Sequence, residues 1–495
     1  MSEPPTDAGP HRIAGRMIGG TLWMVAMRWV IRFIGLINTA ILARLLAPAD
    51  FGVMATGMIA VGLLITLTDG DIEMALVRTP QADASYAHSG WTLKIIAGIL
   101  TWAVLFAIAP VMAFYYHDDR LTQVIRIAAL QPLFMGFENI GVVEFRRKMN
   151  FSAEFRYLVT QRLTSFVVGL AIAFSLRNHL ALAWSQAASG AITTLLSYRV
   201  APAAVRLSLR HWRELWHFSR WQMLFNSARL IGERSDQLVI GWLAGLTTTG
   251  VYAVGFDLAL MPTREVILPA GRALLPGYAR ITESPAHLSD TFHKVLGFGA
   301  IVACASGIGV SCVAEDAVLL ILGDQWGGAV PFVRWLGLFG ALEGIWLMLD
   351  PYLIAARQER LLAIANVTFA LLTFSVGFAS ARIAGIDVVP IARCCVMAGV
   401  LAGTFLWLGK LGWMSVAALL EVLFRPAAAS VAMVTAVRLV HQGPAIGRLG
   451  SLMLDIGTGG ATYLSVLAAL WLLSGRPDGP ERDLLSLVPD RLRRL

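Results

Sequence analysis

Apolar runs of roughly 20 residues recur from one end of this chain to the other, and each is long enough to cross a lipid bilayer as a helix. No other feature narrows the possible folds so far. A backbone in hydrocarbon must satisfy its own hydrogen bonds, so such runs form α-helices or a closed barrel. The runs here are continuous rather than alternating, which excludes a barrel. Composition agrees: 57% of the 495 residues are hydrophobic and only 15% are charged, where a soluble chain carries about a quarter. The expected class is an all-α polytopic membrane protein.

The runs predict helices near 17–45, 51–68, 89–115, 121–144, 152–176 and 180–202, then 218–245, 250–270, 292–314, 328–350, 360–382, 388–409, 426–442 and 449–474. That makes about fourteen, arranged as two six-helix bundles with two further helices. The implied organisation is a cytoplasmic tail (1–16), an N-terminal bundle (17–205), an interfacial connector (206–217) and a C-terminal bundle (218–410). An amphipathic lead-in with two added helices (411–474) and a second cytoplasmic tail (475–495) complete it. Met1 to Arg12 is polar, with Pro4, Pro5 and Pro10, and lacks a cleavable signal pattern, so the first run should stay as a helix. Arg425-Pro426 is expected to stop the lead-in before the thirteenth helix.

Lys and Arg gather in alternate gaps, at Arg78, Arg146-Arg147-Lys148, Arg206 to Arg213, Arg272 and Arg280, Arg357 and Arg360, and Lys410. Basic loops mark the cytoplasmic side, which places both termini there and Asp118-Asp119 and Glu315-Asp316 outside. The net charge of +8 therefore needs no nucleic acid. The connector mixes Arg206, Arg210 and Arg213 with Trp212, Trp216 and Phe218, which suits a helix in the headgroup layer. The four cysteines, Cys304, Cys312, Cys394 and Cys395, lie in apolar runs and read as small core residues.

An internal echo divides the chain. Ile41 to Val53 contains a tight charged turn, and Val239 to Val251 repeats it at a shift of 198 residues, matching Leu45 to Leu243, Gly52 to Gly250 and Gly57 to Gly255. Two similar halves in a membrane protein suggest a substrate path at the repeat interface.

Charges inside these helices each cost about 2.5–3.5 kcal/mol at mid-membrane on insertion scales, so they need a partner, water or a use. Arg28 and Arg32 lie roughly 16 and 22 Å along the first helix, too deep for both to reach the surface. They share a face with Gly35 and Thr39. On the seventh helix Asn226, Arg229, Glu233, Asp236 and Gln237 share a face, with Arg234 beside it. The shift of 198 maps Arg28 to Asn226 and Asn38 to Asp236, so both stripes could line one cavity. Mutual pairing of Arg229 with Glu233 is the structural alternative. Asp257, Glu138, Arg162 and Glu343 are weaker candidates, each better explained as a helix–helix contact or an interfacial charge. No phosphate loop, metal-ligand spacing or nucleophile elbow occurs, so neither an enzyme nor a cofactor is expected.

Ala40 to Gly52, with Trp23 before it and Thr68-Asp69-Gly70 and Ala75-Leu-Val-Arg78 after it, resembles the polysaccharide-biosynthesis flippases of the multidrug/oligosaccharidyl-lipid/polysaccharide exporter superfamily. Asp236 to Gly241 leading to Gly250 to Gly255 is similar to that family as well. Asp71 departs from the pattern, since an uncharged residue is usual there. The resemblance implies two six-helix bundles around a cavity in the bacterial inner membrane. It implies a lipid partner too, an oligosaccharide on an undecaprenyl-pyrophosphate carrier, passed on to polymerase and export machinery. Arg28, Arg32, Arg229 and Arg234 would hold the pyrophosphate, and Glu233, Asp236 and Asp257 would bind a coupling H+ or Na+. A cation antiporter of the same superfamily and a membrane-embedded glycan transferase or ligase are the competing readings; a major-facilitator transporter lacks its loop motif here.

Overall fold

The computed structural model describes residues 29–69, 72–78, 84–148, 150–279, 285–441 and 447–475. These residues are almost wholly helical and include no strand. Ten helices among them are long and apolar enough to cross a membrane. The chain divides into two compact units, with the division at Ile231/Gly232, inside the helix expected to open at 218.

In the first unit, residues 29–45 form α1, followed by α2 (Pro48–Asp69), α3 (Ile72–Arg78), α4 (Ala84–Tyr116), α5 (Arg120–Ala128), α6 (Leu130–Gly136), α7 (Val143–Arg147), α8 (Phe151–Leu176) and α9 (His179–Val200). Pro48 opens α2, where its missing N–H costs nothing. Asp50 accepts a hydrogen bond from the Ala47 amide at 3.1 Å, which fixes the turn between α1 and α2. The turn between α8 and α9 is equally short, two residues. Arg177 takes a left-handed conformation with φ of 48°, and Asn178 caps α9 by accepting from the Leu180 amide at 3.0 Å.

The expected helix 121–144 is broken into α5, α6 and α7. Pro132 has no N–H to give the carbonyl four residues back, so the ladder lapses where α5 meets α6. The break lets α6 lie against α4, where a Cβ on Gly98 would come within 2.8 Å of the Pro132 carbonyl oxygen. The connector also differs from expectation. Residues 201–211 form no regular helix, which begins only at Trp212. Side chains of α4 take its amides: Ser208 N–H donates to Thr92 at 2.9 Å and His211 N–H to Ser89 at 3.2 Å. With those donors satisfied sideways, a helical ladder is not needed.

α10 (Trp212–Ala279) carries one non-helical residue, Gly245, at φ 80° and ψ 173°. Gly245 divides it into two arms, 212–244 and 246–279, and within the second unit the arms lie side by side next to that residue. Asp236 bonds to Tyr252, sixteen residues on, whereas a straight helix would part them by about 24 Å. The shift of 198 places Gly245 opposite Ala47, so the internal echo coincides with a non-helical residue between two helical segments in each unit.

The second unit continues with α11 (Pro285–Cys312), α12 (Ala314–Ile321), α13 (Val330–Ala355), α14 (Glu359–Ala384), α15 (Val389–Lys410), α16 (Val416–His441) and α17 (Arg448–Leu473). α11 and α13 cross closely: a Cβ on Gly337 would meet the Gly307 carbonyl oxygen at 2.7 Å. Small residues let helices pack in lipid, where burial of apolar surface supplies no drive. α16 runs through Pro426 rather than starting after it. A membrane helix tolerates the lost ladder bond when neighbours pack around it. Ala429, Met433 and Val437 of α16 join Tyr463 and Leu467 of α17 and Ile301 and Cys304 of α11 in one buried cluster.

Candidate functional site

The most closely knit group of charges lies in the second unit, where both arms of α10 meet α13 and α15. Asp236, on the first arm, is fully buried. It accepts from the Tyr252 hydroxyl and from the Gln237 amide at 2.9 Å. Nη1 of Arg393, on α15, lies 2.8 Å from its Oδ2. This contact is an ion pair rather than an aligned hydrogen bond, since no guanidinium nitrogen of Arg393 has hydrogen-bond geometry to a partner. Aromatic faces complete the surroundings. The guanidinium carbon sits 4.4 Å from the Phe339 ring centre, 5.1 Å from Phe256 and 5.4 Å from Phe369. Ring quadrupoles attract a desolvated cation, by about 2 kcal/mol or more in the best cases.

Phe256 gathers two more arginines, with Arg264 at 5.4 Å and Arg234 at 5.5 Å from its centre. Arg264 holds Glu343 of α13 in a two-pronged grip, Nε to Oε2 at 2.8 Å and Nη2 to Oε1 at 2.6 Å. Arg234 stands 3.8 Å from Asp257, whose side chain is 63% exposed. One aromatic ring thus carries three cations, two of them closely held by buried acids and the third turned toward an open acid. Such an arrangement can bind an anion at Arg234, or exchange a carboxylate partner for a substrate phosphate.

The first unit has its own charge network. Lys94 on α4 is buried between Glu73 at 2.7 Å and Glu138 at 3.2 Å, and the Tyr157 hydroxyl donates to Glu138 at 2.8 Å. Arg146 extends it to Glu73 at 3.5 Å and Glu154 at 2.8 Å. Four helices are tied by these bonds, which explains the cost of burying them. Beside α1 lies a polar pocket of about 120 Å³, lined by Asn38, Arg162, Ser165, Gln186 and Ser189. Arg162 reaches α1 so closely that a Cβ on Gly35 would stand 3.0 Å from its guanidinium.

Of the residues singled out from sequence, Asp236 and Arg234 fall within the α10 cluster, and Asp257 forms its open edge. Glu233 is half-buried next to them in sequence. Arg229 is exposed on the first arm, before the division between units, and Arg32 is half-buried on α1. Arg28 lies outside the described residues. Glu343 and Glu138, weighed as helix–helix contacts, make such contacts. Lys94, Arg264 and Arg393 were not singled out. A lone cation within an apolar run, as at Val389 to Val400 around Arg393, was the available signal.

The sequence model of a family described as polysaccharide biosynthesis protein matches residues 41–331, more than half of the chain. The chain belongs to that family. It is 20% identical over 338 residues to the lipopolysaccharide biosynthesis protein WzxC of Escherichia coli (strain K12), covering 67% of this chain and 68% of that protein. It is 24% identical over 313 residues to the succinoglycan biosynthesis transport protein ExoT of Rhizobium meliloti (strain 1021), covering 62% of each. Among solved structures, the lipid II flippase MurJ in an inward closed conformation superposes with a TM-score of 0.74 at 11% identity, covering 94% of this chain and all of that one. An inward-facing multidrug resistance transporter of the MATE family, from the MOP superfamily, gives 0.62 at 12% identity over 79% of this chain and 98% of its own. The protein is a multi-pass membrane protein with the fold of this superfamily.

Proposed function

We propose that the chain moves a lipid-linked oligosaccharide across the bacterial inner membrane, from the cytoplasmic to the outer leaflet, by ion-coupled alternating access. The observation that carries this reading is the cluster of three arginines around Phe256 inside an apolar unit. Its support comes also from WzxC and ExoT, named for polysaccharide biosynthesis and transport, and from a fold shared with a lipid II flippase.

The substrate class follows from charge. An undecaprenyl-pyrophosphate oligosaccharide has an anionic head and a tail that stays in lipid, so the protein need carry only the polar part. Arg28, Arg32, Arg229 and Arg234 are assigned to the head group. Asp236, Asp257 and Glu233 are assigned to the coupling ion, H+ or Na+. Asp236 suits an exchange of partners, because a proton on its carboxylate would release Arg393, and only aromatic faces would then hold that cation. Both termini are placed on the cytoplasmic side by the basic loops.

Deleting the gene and identifying the lipids that accumulate tests the function. An undecaprenyl-pyrophosphate oligosaccharide trapped on the inner leaflet is the expected outcome. A cation-antiporter reading is favoured by the superposition on the MATE transporter, and drug sensitivity without any trapped glycan would establish it instead. The three arginines on the Phe256 ring count against it, since each repels a cationic substrate.

A further inference from the structure

A second constellation stands away from the α10 cluster, where α12, α16 and α17 converge. Asp316 of α12, His441 at the last turn of α16 and Asp455 of α17 each offer a ligand atom, and these atoms lie within 4.8 Å of one another. All three line a cavity of about 770 Å³. Asp455 is 2% exposed and Asp316 9%. Asp455 Oδ2 faces His441 Nδ1 at 3.1 Å, yet Asp455 Oδ1 and Asp316 Oδ2 are buried without any hydrogen-bond partner. Two carboxylates that near, with buried oxygens left over, repel and remain unsatisfied unless a cation joins them.

We propose that Asp316, His441 and Asp455 form a zinc-class divalent metal site that pins α16 and α17 to α12. The donor set favours a borderline metal, because calcium and magnesium take oxygen ligands while imidazole suits zinc. With metal–ligand bonds of about 2.0–2.2 Å, tetrahedral ligands stand roughly 3.4 Å apart. The ligand atoms farthest apart therefore need to close by up to about 1.4 Å, within reach of carboxylate and imidazole rotation. The cavity leaves a fourth position for water, and Cys312 stands on its wall. Sequence spacing conceals the group, since 125 residues separate Asp316 from His441 and 14 separate His441 from Asp455. Two of its three ligands lie on α16 and α17, apart from the arginine cluster, so it holds whether or not the proposed substrate is right.

The full chain, purified in detergent with a tag free of histidine and stripped with chelator, is titrated with Zn2+ alone. One equivalent should bind and raise the thermal unfolding temperature, while Asp455→Asn and His441→Ala should each bind at least tenfold more weakly. His441 is 53% exposed at its side chain, so its variant keeps the fold even where Asp455→Asn does not. Equal zinc binding by the parent chain and His441→Ala overturns the proposal. So does binding of Ca2+ or Mg2+ in preference to Zn2+.

Discussion

Arg393 is fully buried in the second unit, with Asp236 as its ion-pair partner. Burying an ion pair gains little net energy, but removing one member strands the other, at about 3–5 kcal/mol. Arg393→Met should lower stability by about that much, and adding Asp236→Asn should restore most of it, as read from thermal unfolding of the purified chain. Equal stability of the single and double variants would show that the two charges are not coupled. Outside the spans, Asp118 accepts from the Arg120 guanidinium, with Nη2 at 2.7 Å and Nε at 3.0 Å. Those hydrogen bonds hold its carboxyl below the usual range. A carboxyl lowered by folding adds stability at pH above its unfolded value, about 3.9, and loses it as pH falls through the folded value. Asp118→Asn should therefore cost up to about 1 kcal/mol near neutrality. The gap between the two unfolding temperatures should close with acidification. A gap independent of pH would assign the loss to some other contact.

Elements were legible from the sequence wherever an apolar run met a clear stop. α2, α8 and α9 lie within a few residues of expectation, because Pro48, Asn150 and Asn178 are strong start signals. Two kinds of element were not legible. Pro132 broke a run that composition alone reads as continuous, while Pro426 failed to break one. The difference is tertiary: α6 gains close packing on α4 and α9 by bending, whereas α16 packs on α11 and α17 as one helix. The α4–α6 crossing is the place to test this. A Cβ on Gly98 would meet backbone on α6, the Pro132 oxygen at 2.8 Å and the Gly136 Cα at 3.0 Å, and backbone cannot swing aside as a side chain can. Gly98→Ala should cost about 1–3 kcal/mol by overpacking. Unchanged unfolding of that variant would mean the helices part freely at this point.

At the scale of the whole molecule, function depends on whether charges in apolar helices are structural or used. Arg28 and Arg32 have no acid near them in sequence, and the double variant to Ala should abolish export of the polysaccharide while the protein still inserts. Complementation of a deletion strain, with membrane fractions probed for the chain, reads both at once. Normal export would remove the two arginines from the substrate path. The sequence by itself determined the class of the protein: unbroken apolar runs leave only helices in a bilayer. It also revealed the echo, through Leu45 and Leu243, Gly52 and Gly250, and Gly57 and Gly255 at one shift. The partners of the buried charges were decided only by the tertiary structure. Arg393 lies 157 positions from Asp236 in the chain, and Glu343 lies 79 from Arg264. Periodicity can place a charge on one face of its own helix, but the groups that satisfy it come from other helices and depend on how those pack.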